Sequence, residues 1–287
     1  MIKTYIKRDQ YLSRIAPFFN KAVIKVVTGQ RRVGKSYLLF QIMDMAKRLG
    51  PKDGRIIYIN KELHEFAAIN DHRALLEYIA AKSVGAKKSF VFIDEIQEIS
   101  QFEKALRSLQ AGGGYDIYCT GSNAELLSGE LAGRLSGRYM EIKVFGLSYP
   151  EFLRFHKLEE SGDSFLKYVR YGGLPYLVNL KLEDDIVYEY LRTIYETILL
   201  KDIVARYGVR NVNFLERLAE FLADNTGSLV SAKRISDFLK SQKTNISPNI
   251  VLNYLSSLAS AFLIFKVPRA DVAGRKIFEI GEKYYFE

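Results

Sequence analysis

The eight residues Gly29-Gln30-Arg31-Arg32-Val33-Gly34-Lys35-Ser36 constrain this chain more than any other stretch. They fit the pattern G-x-x-x-x-G-K-[ST] at every fixed position. The β-branched run from Ala22 to Thr28 precedes them and reads as a buried strand. Tyr37 to Ala46 follows, with apolar residues at helical spacing. A loop between a strand and a helix N-terminus gathers backbone N–H groups at one spot, and the helix dipole favours an anion there. The glycines let the backbone wrap a phosphate closely. On this reading Gly29, Gln30, Arg31, Arg32, Val33, Gly34, Lys35, Ser36 and Tyr37 surround the phosphates of a nucleotide. Lys35 is expected to reach the β- and γ-phosphates, and the Ser36 hydroxyl to ligate Mg²⁺. A surface turn rich in Gly and Lys is the alternative, and the strand and helix on either side argue against it.

A second signature lies downstream. Ser89-Phe90-Val91-Phe92-Ile93 runs into Asp94-Glu95. Such a strand is buried on both faces, as parallel strands are, and delivers its last residues to the sheet edge where a ligand lies. Asp94 is expected to hold Mg²⁺ through its water shell, and Glu95 to orient and deprotonate an attacking water. Tyr115 to Thr120 is a further strand. In the phosphate-loop class that carries such an acidic pair, this strand lies between the other two, so Ser122 and Asn123 are expected near the γ-phosphate. Their alternative role is to cap a helix beginning at Ala124. Gly133-Arg134 and Gly137-Arg138 repeat four residues apart before the strand Tyr139–Phe145. An arginine at the edge of the last strand can point at a neighbouring subunit's γ-phosphate. Arg138 is the preferred finger and Arg134 the second candidate.

Composition narrows the class. At 287 residues the length favours about two domains. No apolar run approaches the roughly 18 residues of a membrane span. The charged N-terminus lacks the apolar stretch of a secretory signal. The single cysteine, Cys119, lies in an apolar run and reads as an inert core thiol. These features predict a cytoplasmic protein. The net charge of +9 is uneven. Residues 1–150 carry 23 basic and 15 acidic side chains (+8), residues 151–226 carry 10 and 13 (−3), and residues 227–287 carry 9 and 5 (+4). A basic first half suits a polyanionic nucleotide. The basic tail has nucleic acid as its first candidate partner and a merely solvated surface as the alternative.

The set Gly29–Ser36, Phe90–Glu95, Gly121–Asn123 and Gly137-Arg138, followed by Leu147-Ser148-Tyr149-Pro150-Glu151-Phe152, resembles a prokaryotic branch of the AAA-type ATPases. Members of that branch carry a C-terminal domain of unknown function. Tyr171-Gly172-Gly173-Leu174-Pro175, Leu200 to Gly208 and the final Lys283-Tyr284-Tyr285-Phe286-Glu287 extend the resemblance over nearly the whole chain. Gly146 departs from the family, which usually has Pro there. The resemblance implies an α/β phosphate-loop core of AAA type and hydrolysis of ATP. It also implies a helical lid after the core.

The chain therefore divides by expectation into three parts. Residues 1–150 are the ATPase core. Residues 151–226 are a helical block: Phe152–Leu158, Asp163–Tyr171, Asp184–Leu200 and Val212–Ala223. Residues 227–287 read as a winged-helix-like module. Its helices are 231–239 and 249–260, with Ser247 as N-cap and Pro248 at the first helical position. Its strand is Phe262–Pro268. Duplex DNA would meet Asn249, Asn253, Arg269, Arg275 and Lys276. The second helix carries no Lys or Arg, however, which keeps a protein partner equally open. The predicted function is an ATPase, a phosphoanhydride hydrolase that uses ATP and Mg²⁺ and couples turnover to movement of its C-terminal domain. A slow nucleotide-gated switch that binds DNA or a protein is the alternative, and the finger would require a homo-oligomer. Residues 277–287 are aromatic and strand-like without a polar tail, which predicts a truncated chain whose last strand has lost part of its packing partner and pairs with its own wing or a neighbouring molecule. The alternative is a hairpin closed with Phe262–Val267.

Overall fold

Alternate residues of the buried strands face opposite ways, and this period of two builds two cores around one sheet. In the computed structural model, which describes residues 5–124, 135, 137–268 and 281–287, the strands β1 (Ile24–Thr28), β2 (Arg55–Asn60), β3 (Ser89–Asp94), β4 (Tyr115–Gly121) and β5 (Tyr139–Lys143) are all parallel. Their order is β2-β3-β4-β1-β5. Val26, Val91, Ile93 and Cys119 pack on one face, beneath the helices α3 (His72–Ser83) and α4 (Phe102–Gly112). Val27, Phe90, Phe92 and Tyr118 pack on the other, beneath α1 (Asp9–Ile15) and α2 (Lys35–Leu49). Phe92 and Tyr118 stack there with ring centroids 4.9 Å apart. Each fully buried aliphatic or aromatic side chain contributes about 1.5–3 kcal/mol. The alternation of strand and helix between β1 and β5 is the expected α/β architecture, with β4 between β1 and β3.

The chain divides into two compact units, residues 1–187 and 188–287. Beyond the sheet, the first unit contains α5 (Tyr149–His156), α6 (Gly162–Tyr171) and a short 3₁₀ turn, Pro175–Asn179. Ser148 and Glu151 form a capping box that starts α5. Helix α7 (Asp184–Thr197) carries the chain across the division, and Ile198–Ala205 continues it as π-helix. The apolar spacing alone predicted a single helix ending at Leu200; the wider π-turns extend it and bury Asp202.

The second unit holds α8 (Val212–Asp224), α9 (Ala232–Ser241), α10 (Pro248–Ser260) and the antiparallel strands β6 (Leu229–Val230), β7 (Ile264–Val267) and β8 (Glu282–Phe286). Ser231 and Ser247 cap α9 and α10, and Pro248 opens α10. Ser236 Oγ donates to Ile246 O at 2.6 Å and pins the turn between the two helices. The final strand pairs within its own chain, as both readings of it allowed: β8 is the central strand, bonded to β6 on one side and β7 on the other. Lys266 pairs with Tyr284, Val267 with Lys283, and Tyr284 is buried.

Candidate functional site

At the C-terminal end of β1 the backbone turns sharply into α2. Gly29 has φ +147°, and a Cβ there would fall 2.2 Å from Val144 O, so no other residue fits. Gly34 caps α2. The Lys35 ammonium donates to the carbonyls of Gly29 and Gln30, both at 3.0 Å. Arg32 and Tyr37 are exposed at the mouth and Val33 is buried beneath it. The loop lines a cleft of about 540 Å³. Its wall also includes Tyr5 and Ile6, Tyr37 and Phe40 on α2, Asn60 at the end of β2, Glu95, and Pro175, Tyr176 and Asn179.

The turn Gly172-Gly173-Leu174-Pro175 now has a physical account. A Cβ at Gly173 would meet Leu147 O at 2.4 Å, and Leu147 N donates to Gly173 O at 2.6 Å. That close crossing of two backbones sets Pro175 against Gly34, where a Cβ would lie 3.8 Å from the proline ring.

Asp94 and Glu95 end β3 beside the loop. Thr120 Oγ1, on the neighbouring β4, donates to Asp94 Oδ1 at 2.5 Å and accepts from the Glu95 N–H at 2.9 Å. One threonine thus fixes a carboxylate and the backbone of the next. Tyr58 OH donates to Asp94 Oδ2 at 3.3 Å. Burial is the largest influence on the Asp94 carboxyl and pushes it up, and the Glu95 charge adds to that; hydrogen bonds from Thr120 and Ser36 and the Lys35 charge oppose the rise. Burial and the Asp94 charge also push the Tyr58 hydroxyl up. Glu95 itself has φ 57°, in the left-handed region that a residue with a Cβ rarely adopts. Strain of this kind persists where surrounding bonds hold it, and it clusters at functional sites.

The sequence-predicted residues fall into three groups. Lys35, Ser36, Asp94 and Glu95 come together at one end of the sheet. Ser122 and Asn123 are buried just past the end of β4, and Gln97 Nε2 lies 3.5 Å from Ser122 Oγ. Arg138 is exposed before β5, which registers Tyr139 with Ile24 and Lys143 with Thr28. It therefore stands at the opposite end of the sheet, roughly 16 Å of strand from its own loop. Arg134, Arg269, Arg275 and Lys276 lie outside the described residues, as does the helix that Ser122 or Asn123 would cap. Asn249 and Asn253 are exposed on α10.

Sequence reasoning missed Arg8. Its buried guanidinium grips Glu151 through Nε at 2.9 Å and Nη2 at 2.8 Å. It also donates to Val33 O in the loop at 3.2 Å, to Phe145 O at 2.8 Å and to Gly146 O at 3.1 Å. Burial works to raise the Glu151 carboxyl, but donors on Arg8 and Ser148 outweigh it and hold the group below the ordinary carboxylate range. The entry segment is thereby tied to the phosphate loop. No sequence signal linked residues 143 positions apart.

The donor set fits Mg²⁺. Ser36 and Asp94 offer hard oxygen atoms, and a carboxylate raised by burial beside a second carboxylate favours a cation. Mg²⁺ usually takes one or two protein oxygens and leaves the rest to phosphates and water. Among the described residues there is no group of three or more His, Cys, Asp or Glu placed to hold a metal by themselves. Nor, among them, is any helix long and apolar enough to cross a membrane.

Residues 21–153 match the model of an AAA domain, and residues 162–286 match a domain of unknown function, DUF8612. An uncharacterized protein of Haemophilus influenzae is 36% identical over 290 residues, covering 99% of this chain and 72% of that protein. Uncharacterized protein MJ1544 of Methanocaldococcus jannaschii is 34% identical over 256 residues, covering 84% of this chain and 56% of that protein. Among solved structures, the Aeropyrum pernix ORC1 protein in complex with DNA is similar at 13% identity and a TM-score of 0.41, over 99% of this chain and 90% of that one. Saccharomyces cerevisiae RIF2 is similar at 13% identity and a TM-score of 0.39, over 72% of this chain and 84% of that one.

Proposed function

The chain belongs to the family in which an AAA domain is followed by DUF8612, and from that membership and the sheet-edge geometry we propose that it binds Mg-ATP and hydrolyses it. The convergence of Lys35, Ser36 and Glu95 on one cleft, with Asp94 bonded to Ser36 beside them, carries the reading. Loop N–H groups and the α2 N-terminus would hold the phosphates. Lys35 would exchange its bonds to the Gly29 and Gln30 carbonyls for the β- and γ-phosphates. Ser36 and Asp94 would hold Mg²⁺, which neutralises charge on the phosphate oxygens when bound. Glu95 would take a proton from water as the water oxygen bonds to the γ-phosphorus and the bond to the bridging oxygen breaks, releasing ADP and phosphate. The apolar walls, Tyr5, Ile6, Phe40 and Tyr176, suit the base. Ser122 and Asn123 are read as the groups that sense the γ-phosphate, and Arg138 as a finger acting on a neighbouring subunit's nucleotide.

Steady-state phosphate release tests the reading. Glu95→Gln should keep its Mg-ATP affinity and lose turnover by about 10²-fold or more, the scale of a positioned base. A wild-type rate in that variant overturns the role of Glu95.

Residues 1–150 are read as the ATPase core, 151–226 as the lid and 227–287 as a winged-helix-like module whose movement the turnover drives. One observation favours a protein partner over duplex DNA for that module. The exposed face of α10 presents Asn249, Ile250, Leu252 and Asn253, with Ile250 43% and Leu252 48% exposed, and α10 has no Lys or Arg. A helix that reads DNA ordinarily supplies cations to the phosphates. Phosphate release that rises with duplex DNA would reverse this preference.

A further inference from the structure

The carboxylate of Glu95 must be aimed as well as delivered. Its backbone is fixed, because the N–H is held by Thr120 Oγ1 and the residue begins the short 3₁₀ turn Ile96–Glu98. Its side chain is another matter. Among the described residues the Glu95 carboxylate has one hydrogen-bond partner, the amide nitrogen of Gln97, which donates to Oε2. The same nitrogen lies 3.5 Å from Ser122 Oγ, on the loop that leaves β4. Gln97 therefore stands between the carboxylate and the residue expected to sense the γ-phosphate.

The amide can face only one way. Turning it round would set its oxygen against a carboxylate oxygen, two acceptors with no proton between them. With the nitrogen committed to Glu95, the oxygen points elsewhere. Gln97 Oε1 is buried and, among the described residues, has no hydrogen-bond partner. A buried acceptor without a donor is costly and uncommon, and at a functional site it calls for an explanation. The explanation here is the Glu95 carboxylate, which holds the amide nitrogen at the cost of leaving the oxygen without a donor.

We propose that Gln97 is the positioning residue for hydrolysis in this cleft: its amide nitrogen aims the Glu95 carboxylate and ties it to Ser122. The chemistry remains that of Glu95, which takes one proton while the water oxygen bonds to the γ-phosphorus and ADP departs. Gln97 exchanges no atoms. The inference rests on the reading of Glu95 as the base, and the two can fail separately.

Phosphate release and Mg-ATP calorimetry on the full chain test it, with Gln97→Ala, Gln97→Leu and Gln97→Glu. The last keeps the side-chain shape while replacing the donor by an acceptor, so it carries the test should the alanine variant not fold. In each variant kcat should fall by about a hundredfold, the scale of a small misplacement at the reacting centre. KM and the Mg-ATP affinity should stay within about threefold, which a merely structural residue would not achieve. Adding Gln97→Ala to Glu95→Gln should cost nothing further, because both remove the same unit. A kcat within twofold of wild type for Gln97→Ala, while Glu95→Gln is inactive, overturns the role of Gln97 and leaves the base in place. So does a double variant whose losses multiply, or an ATP affinity that falls in step with kcat. A Glu95→Gln variant that turns over at the wild-type rate removes the base, and this inference with it.

Discussion

At the N-terminal end of the sheet Lys25 and Asp116 form an ion pair with both side chains fully buried. Lys25 also donates to Lys21 O at 2.9 Å and lies 4.8 Å above the Tyr118 ring. Asp116 accepts from the Asn20 N–H at 2.8 Å and from Tyr118 OH at 2.9 Å. Burial lowers the Lys25 ammonium, with Asp116 pulling the other way. At the C-terminal end the ingredients are alike but the accounting differs. Two carboxylates, Asp94 and Glu95, lie beside one lysine, whose ammonium also donates to the Gly29 and Gln30 carbonyls. Burial pushes Asp94 up, and a buried oxygen on Gln97 has no partner among the described residues. Saturated charges fix a structure. Two carboxylates beside one lysine leave a net negative charge that favours a further cation.

The sharpest way to break the comparison is at the saturated end. Asp116→Ala leaves the Lys25 ammonium buried and unpaired, and should cost about 3–5 kcal/mol of stability, read by denaturant unfolding. Folded Asp116→Ala protein should still bind Mg-ATP, because none of its lost bonds reaches the cleft. A loss of ATP affinity without loss of stability would mean that the two ends are not separate in function.

Arg138 sharpens the comparison, since it is an exposed cation at the saturated end. From there it can serve only a nucleotide on another subunit. Arg138→Ala should bind ATP normally and hydrolyse it on the order of 10³-fold more slowly. Mixing it with Glu95→Gln subunits should restore part of the activity. No rescue, together with a monomer at every concentration, would reject an intersubunit finger.

The smallest effect concerns Cys119, midway along β4. Burial alone pushes its thiol up to about 12, so a disulfide reagent near neutral pH should react only as fast as the chain opens. Immediate reaction of the native protein would show that this strand is less buried than described.

What could be read in advance follows the reach of each interaction along the chain. Gly29–Ser36 is contiguous, so its strand, loop and helix were legible together. Asp94 and Glu95 were legible because a buried strand ending in two carboxylates is a local pattern. Thr120 was not, because its role exists only once β3 and β4 lie in register, Ile93 against Cys119. Arg8 was hidden for the same reason, with partners spread from Val33 to Glu151. Gln97 sat two residues from Glu95 in plain view, yet its significance depends on a left-handed backbone at Glu95 that propensity does not foresee. The pairing of the final strand with β6 was not legible, because β6 lies some fifty residues back and is too short a strand to stand out.

Calorimetric titration of the full chain with Mg-ATP, wild type against Lys35→Ala, tests the central claim most directly. The account predicts measurable binding by the wild type and loss of at least about two orders of magnitude in affinity, roughly 2.7 kcal/mol, in a Lys35→Ala protein whose unfolding midpoint is unchanged. Equal ATP affinity in a folded Lys35→Ala chain would contradict it.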